Sequence, residues 1–239
     1  GLHAHSTFSL NDGFGYPQEH QEYAYGNGMD ALALTDHGTC AGLSYAILNA
    51  KKMRDEGKEF KAILGVEAYF IPDVVEWREI YEEIKQDKKA ARALKKREST
   101  TVAETDGSSR ESSTTLPRYA HLILFAQSQI GLNNIYSIVS ESHDEKHFYR
   151  RPRVDFNLLR KYNEGVICAT ACLGGIVGRE MYSGRDAGLN EEQIYQNALA
   201  KLKTFSDIYG DRFYGELQWN SVPEQHIVNK MVIRASKEI

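Results

Sequence analysis

The chain of 239 residues has only three cysteines, five prolines and two tryptophans. It also lacks any apolar run approaching the roughly 18 residues of a membrane helix, which excludes a helical span. No secretory signal pattern opens it. Three cysteines (Cys40, Cys168, Cys172) form no even-numbered disulfide framework. Without a leader, that count points to a reducing, cytoplasmic compartment. Basic charge is scarce as well: the net charge is -4 and the pI about 6.1. A domain that grips nucleic acid over its whole surface is basic, so any contact with DNA is confined to metal ions or a small patch. An initiator Met is absent, and the chain reads as a piece of a longer protein.

What is present is a hydrophobic content of 41%, enough for one sizeable core. Short apolar runs alternate with amphipathic ones. Residues 1–5, 31–35, 62–71, 121–126, 165–170 and 213–219 read as strands. Residues 17–27, 41–56, 128–143, 155–162, 190–209 and 223–238 read as helices, and another starts near Gly174. Pro17 suits a first helical turn, Asp155 a cap, and Asn190-Glu191-Glu192-Gln193 a capping box. Residues 76–97 form a charged stretch with Trp77, Ile80, Tyr81 and Ile84 near helical spacing. Residues 99–115 are Ser/Thr-rich and nearly free of apolar side chains, so they read as a mobile insertion. Strand–helix alternation predicts mainly parallel strands with right-handed crossovers. A barrel is the most economical closure, and an open doubly wound sheet is the alternative.

Several residues are candidates for chemistry. His3 and His5 are two apart, and on a strand both would point to one face. Asp12 lies in the turn sequence Asn11-Asp12-Gly13, where a turn-forming role is the plainer reading. Asp36 and His37 follow the apolar run 31–34, where parallel α/β folds carry functional groups. Glu67 stands within Leu64-Gly65-Val66-Glu67-Ala68-Tyr69. A carboxylate there is costly to bury unless it is paired or coordinates a cation. Cys172 and His121, each taken alone, read as a small buried hydrophobe and a structural histidine.

Their order carries more than any single member. His-x-His, a turn Asp, Thr-Asp-His-Gly, Gly-Val-Glu, His-Leu-Ile-Leu and Ala-Cys-Leu-Gly-Gly together resemble the PHP (polymerase and histidinol phosphatase) superfamily. Within it, the polymerase branch is most similar. Leu132-Asn133-Asn134-Ile135-Tyr136, Phe148-Tyr149-Arg150-Arg151-Pro152-Arg153-Val154-Asp155 and Tyr214-Gly215-Glu216-Leu217-Gln218 resemble the amino-terminal region of bacterial DNA polymerase III alpha subunits. The likeness covers nearly the whole chain except residues 73–115, which look like an enlarged insertion.

The resemblance implies one PHP domain over 1–239, an α/β distorted (β/α)7 barrel incomplete at its C-terminus, with a metal cluster at the carboxyl ends of its strands. It implies that His3 and His5 bind one ion, that Asp12 and His37 help bind a second, and that Glu67 bridges. His121 and Cys172 would complete a third site, and an Asp-x-His pair is expected beyond Ile239. Asp36 would orient a ligand, and Arg151 and Arg153 would hold a phosphate. Histidine and cysteine favour zinc, while carboxylates allow manganese or magnesium. The implied activity is phosphodiester hydrolysis, a 3′–5′ exonuclease within a replicative DNA polymerase. DNA and replisome subunits such as a clamp or proofreading subunit would be its partners, with no membrane. The alternatives are a stand-alone phosphoesterase and a non-catalytic platform. One residue fits badly: His121 opens its strand rather than closing it.

Overall fold

A computed structural model describes residues 1–98 and 119–239. Its elements are α1 (Pro17–Gly26), β1 (Ala31–Leu34), α2 (Leu43–Asp55), β2 (Lys61–Phe70), α3 (Val74–Glu98), β3 (Ala120–Ala126) and α4 (Gln129–Ser142). They continue with β4 (Arg153–Val154), α5 (Phe156–Lys161), β5 (Val166–Ala169), α6 (Ile176–Asp186), α7 (Glu191–Tyr209), β6 (Phe213–Tyr214) and α8 (Pro223–Ala235). The insertion expected at 99–115 lies outside the described residues. The charged stretch before it lies in α3, whose Val74 and Trp77 are buried.

The sheet runs β1-β2-β3-β5-β6, with β4 also paired to β2. β2 pairs in parallel with β1 and β4, and β5 pairs in parallel with β6. β3, however, is antiparallel to both β2 and β5. Five of the six described strands thus run the same way, in keeping with the expectation of mainly parallel strands, and β3 alone is reversed, which makes the sheet mixed. The connection from β2 through α3 returns the chain to the end of the sheet it left, instead of crossing back. Strand–helix alternation does not record that difference. The reversed direction also accounts for His121, because the first residues of β3 lie beside the last residues of β2, with Tyr69 opposite His121.

Two further expectations change in detail. Residues 1–5 run beside β1 but make only two backbone bonds to it, Ala33 N–H to the Gly1 carbonyl (3.0 Å) and Thr35 N–H to the Ala4 carbonyl (2.9 Å). The Ala4 N–H goes instead to the Thr35 hydroxyl at 3.1 Å. The strand expected over 213–219 is paired only at Phe213–Tyr214, after which the Glu216 N–H bonds the Thr170 hydroxyl. The free ends of the sheet approach each other at residues 1–5 and 214–218, where His3 meets Glu216. The sheet thus curls toward a barrel. A cavity of about 1060 Å³ opens among Leu2, Ile63, Phe125, Ile167 and Leu217.

The period of two sorts β2 and β3 into two faces. Val66, Ala68, Phe70, Leu122 and Leu124 pack outward against residues of α4 to α8 in the main core. Ile123 and Phe125 belong to a smaller inner cluster with Ala33, Ala169 and Ala171. Glu67, opposite Ile123, shares that inner face, as do Tyr69 and His121. The inner face is where the polar residues collect, and Glu67 is 1% exposed there.

Candidate metal centre

The site is assembled around Glu67. Its Oε2 lies 2.9 Å from His3 Nε2 and 2.9 Å from His5 Nε2, and those two nitrogens are 3.0 Å apart. Its Oε1 lies 2.8 Å from His121 Nδ1. His37 Nε2 is 3.4 Å from Oε2. Residues 35–38 leave β1 and lie beside β2, with the Gly38 N–H bonded to the Glu67 carbonyl at 2.8 Å. Gly38 has φ +62°, and a Cβ there would stand 2.6 Å from Pro152 Cγ. Only glycine fits that turn without strain.

Asp12 comes from the tight turn that follows residues 1–5. Its Oδ2 is 2.9 Å from His5 Nδ1 and 3.5 Å from His37 Nε2. The Ser9 hydroxyl is 3.2 Å from His5 Nδ1, 3.3 Å from Asp12 Oδ2, and accepts the His37 N–H at 3.2 Å. Three sets of donors thus converge: His3, His5 and Glu67; His5, Asp12 and His37; and His37, Glu67 and His121. Cys172 borders them, with Sγ 3.8 Å from both Glu67 Oε1 and His121 Nδ1. The turn that presents it includes Ala171 at φ 59°, an uncommon conformation for a residue with a Cβ.

Electrostatics bind this group together. Burial alone would raise the Glu67 carboxyl, but its hydrogen bonds with His121, His3 and His5 hold it well below the usual range. Burial disfavours charge on His3, yet its bonds to Glu216 and Glu67 push it up to about 10. His37 goes the other way: burial lowers it to about 4, so it is a neutral imidazole with a free lone pair. Its Nδ1 is buried without a hydrogen-bond partner among the described residues. Burial, with Glu67 adding to it, raises the Cys172 thiol to about 11. Imidazole nitrogens and carboxylate oxygens about 3 Å apart match the donor spacing around a zinc-sized ion with bonds of about 2.1 Å. The residues present therefore fit divalent cations.

The remaining candidates separate. Asp36 is buried and accepts the Ser6 N–H at 2.6 Å and the Ser6 hydroxyl at 2.8 Å. It anchors the segment between His5 and Asp12. Arg151 stacks over Tyr69 at 5.5 Å, and Tyr69 stacks on His37 at 5.2 Å, so Arg151 borders the site. Arg153, expected beside it as a phosphate ligand, is instead 2% exposed, with its guanidinium 3.9 Å over Trp77. It lies in β4, an element with no period long enough to read from sequence, and burial lowers it to about 10. Glu216 joins the cluster although it is not among the candidate ligands of the sequence. It holds His3 Nδ1 at 2.8 Å and accepts from Gln218 Nε2 at 2.9 Å. The sequence signals for it are its place in the resembling segment Tyr214–Gln218 and a carboxylate two residues past the observed strand Phe213–Tyr214.

A model of the PHP domain matches residues 1–220. DNA polymerase III subunit alpha of Borreliella burgdorferi is 32% identical over 238 residues, covering 100% of this chain and 17% of its own length. The subunit of the same description from Aquifex aeolicus is 34% identical over 239 residues, covering 99% of this chain and 17% of its own. A solved structure from Bifidobacterium adolescentis superposes with a TM-score of 0.49 at 11% identity, over 98% of this chain and 83% of that one. With nine-tenths of its length matched by that one model, this chain belongs to the PHP domain family.

Proposed function

We propose that this chain is the PHP domain of a replicative DNA polymerase and that it removes nucleotides from a DNA 3′ end by metal-dependent phosphodiester hydrolysis. The observation that supports this most is the placing of Glu67 among four imidazoles at 2.8 to 3.4 Å. His3 and His5 hold one ion with Glu67, His5, Asp12 and His37 a second, and His37, Glu67, His121 and Cys172 a third. The nitrogen and sulfur donors favour zinc, and the carboxylates admit manganese or magnesium. Such ions, when bound, lower the pKa of a water and offset charge on phosphoryl oxygens.

The protein's own groups divide the remaining work. Glu216 fixes the ring of His3, leaving Nε2 for the cluster. Asp36 holds Ser6 and so the turn that carries Asp12. Arg151 meets a substrate phosphate from the Tyr69 side, where a guanidinium forms paired hydrogen bonds. The two named relatives are polymerase subunits, which supports DNA and other replisome components, such as a clamp or proofreading subunit, as partners in the cytoplasm. No described helix is long and apolar enough to cross a membrane.

The test uses the full-length, metal-loaded protein on a primer with a mismatched 3′ end. His37→Ala is expected to abolish nucleotide release with folding intact. Release that persists unchanged would place the activity elsewhere and leave this domain a platform.

A further inference from the structure

The turn that carries Asp12 also carries large apolar side chains that no described residue covers. Phe14 is 87% exposed and Leu10 74% exposed. Tyr16 and Tyr45 are about half exposed, and Phe8 lies between them, stacked on Tyr45 at 5.1 Å and edge-on to Tyr16 at 6.3 Å. The result is an aromatic rim next to the metal centre. Phe14 is only two residues beyond Asp12, so their Cα atoms are within about 7 Å.

The rim is rigid. The Thr7 N–H bonds the Gly15 carbonyl at 2.8 Å, and the Asp12 and Gly13 N–H groups bond the Ser9 carbonyl at 3.1 and 2.9 Å. Gly13 is pressed so closely on Ser6 that a Cβ would sit 1.7 Å from the Ser6 carbonyl oxygen. His20 Nε2 lies 2.5 Å from the Phe14 carbonyl oxygen, and the Tyr16 N–H bonds Glu19 Oε2 at 2.6 Å. Phe14 is therefore exposed because its backbone is held in that position.

The chemistry of the rim narrows the choice of ligand. Residues 1–50 contain no lysine or arginine, while Asp12, Glu19, Glu22, Asp30 and Asp36 all lie within them. Of these, Glu22 is paired with Lys58 Nζ at 3.3 Å and Asp36 is buried, so what the rim itself presents to a ligand is chiefly aromatic. An unpaired end brings flat bases, which stack on aromatic faces whatever their sequence.

We infer that the rim of Phe14, Tyr16 and Tyr45 is a stacking platform for the unpaired bases at the end of a single-stranded nucleic acid whose phosphodiester lies at the adjoining centre. The inference rests on the proposed function, and it makes the substrate a frayed or mismatched end. Selection for such ends then comes from the energy needed to unpair a matched one, and not from reading base edges.

The test is a binding measurement that does not depend on cleavage. The full-length, metal-loaded protein is titrated with a short single-stranded oligodeoxynucleotide carrying 2-aminopurine as its 3′-terminal base. Stacking on the rim is expected to quench the fluorescence. Phe14→Ala is expected to lose that quench and to weaken binding on the order of 10-fold, equivalent to about 1.4 kcal/mol. The loss should be the same at low and high salt, because stacking releases no counterions. Phe14→Trp should keep the quench. An unchanged quench and affinity in Phe14→Ala would overturn the platform and leave the rim to a protein partner. A quench lost in Phe14→Ala while the wild-type protein releases no nucleotide would sustain the platform and refute hydrolysis.

Discussion

Replacing Glu67 with glutamine tests whether the cluster is one electrostatic unit. The carboxylate is 1% exposed and makes three contacts of 2.8 to 2.9 Å, with His3, His5 and His121. Hydrogen bonds to a charged group contribute about 1.5–3 kcal/mol each, and neutral ones about 0.5–1.5. Glutamine keeps the shape but offers one acceptor oxygen and a donor nitrogen, so at most two neutral contacts survive. The gross loss is about 3–6 kcal/mol. Relief from burying a charge offsets part of it, leaving about 2–4 kcal/mol. Domains are stable by about 5–15 kcal/mol, so Glu67→Gln should fold with a lowered midpoint. Denaturant unfolding of the metal-free protein at neutral pH measures this. Glu67 also contributes to two of the three donor groups, whereas His5, Asp12 and His37 form one without it. Elemental analysis after dialysis of the loaded protein should therefore show lost metal with the Asp12-containing group retained. A stability within about 0.5 kcal/mol of the parent, the scatter of ordinary surface changes, together with unchanged metal content, would refute the reasoning.

Two other outcomes follow from the same geometry. Glu216→Ala should weaken metal binding about 10- to 100-fold while the fold persists, since it frees His3 to rotate; a chelator competition titration that shows no change would exclude the positioning role. Metal uptake should also release protons. His3, pushed up to about 10, is protonated at neutral pH and must lose that proton to bind an ion, whereas His37, lowered to about 4, is already neutral. Affinity should accordingly rise with pH through the neutral range and level off above about 10, and a weakly buffered titration should acidify as ion is added. Affinity that falls with rising pH would contradict the assignment of charge.

What could be read without coordinates was local. The capping box is present, with the Asn190 side chain accepting the Gln193 N–H and Gln193 returning a bond. Asp155 caps α5 by accepting the Leu158 N–H at 2.8 Å. Helix periods and caps link residues three or four apart, so they survive in any stretch of sequence read alone. The chemistry of the donors was legible for a related reason. A carboxylate in an apolar run such as 64–69 has few places to go unless something neutralises it, and Glu67 is indeed buried among imidazoles. The insertion expected at 99–115 falls outside the described residues, so its role stays with the sequence.

Tertiary structure decided the rest. The direction of β3 depends on the path of a connection between distant strands, which no local period encodes, and it alone brings His121 to the same end as Glu67. The partnership of His3 and Glu216 spans 213 residues and forms only because the two ends of the curled sheet meet. The same long-range packing buries Arg153 over Trp77 while its neighbour in the chain, Arg151, reaches the site. Sequence thus marked most of the helices and strands and named most of the groups that gather around Glu67, through interactions within a few residues. Which of those groups meet was set by strand order and direction, and these are properties of the packed chain as a whole.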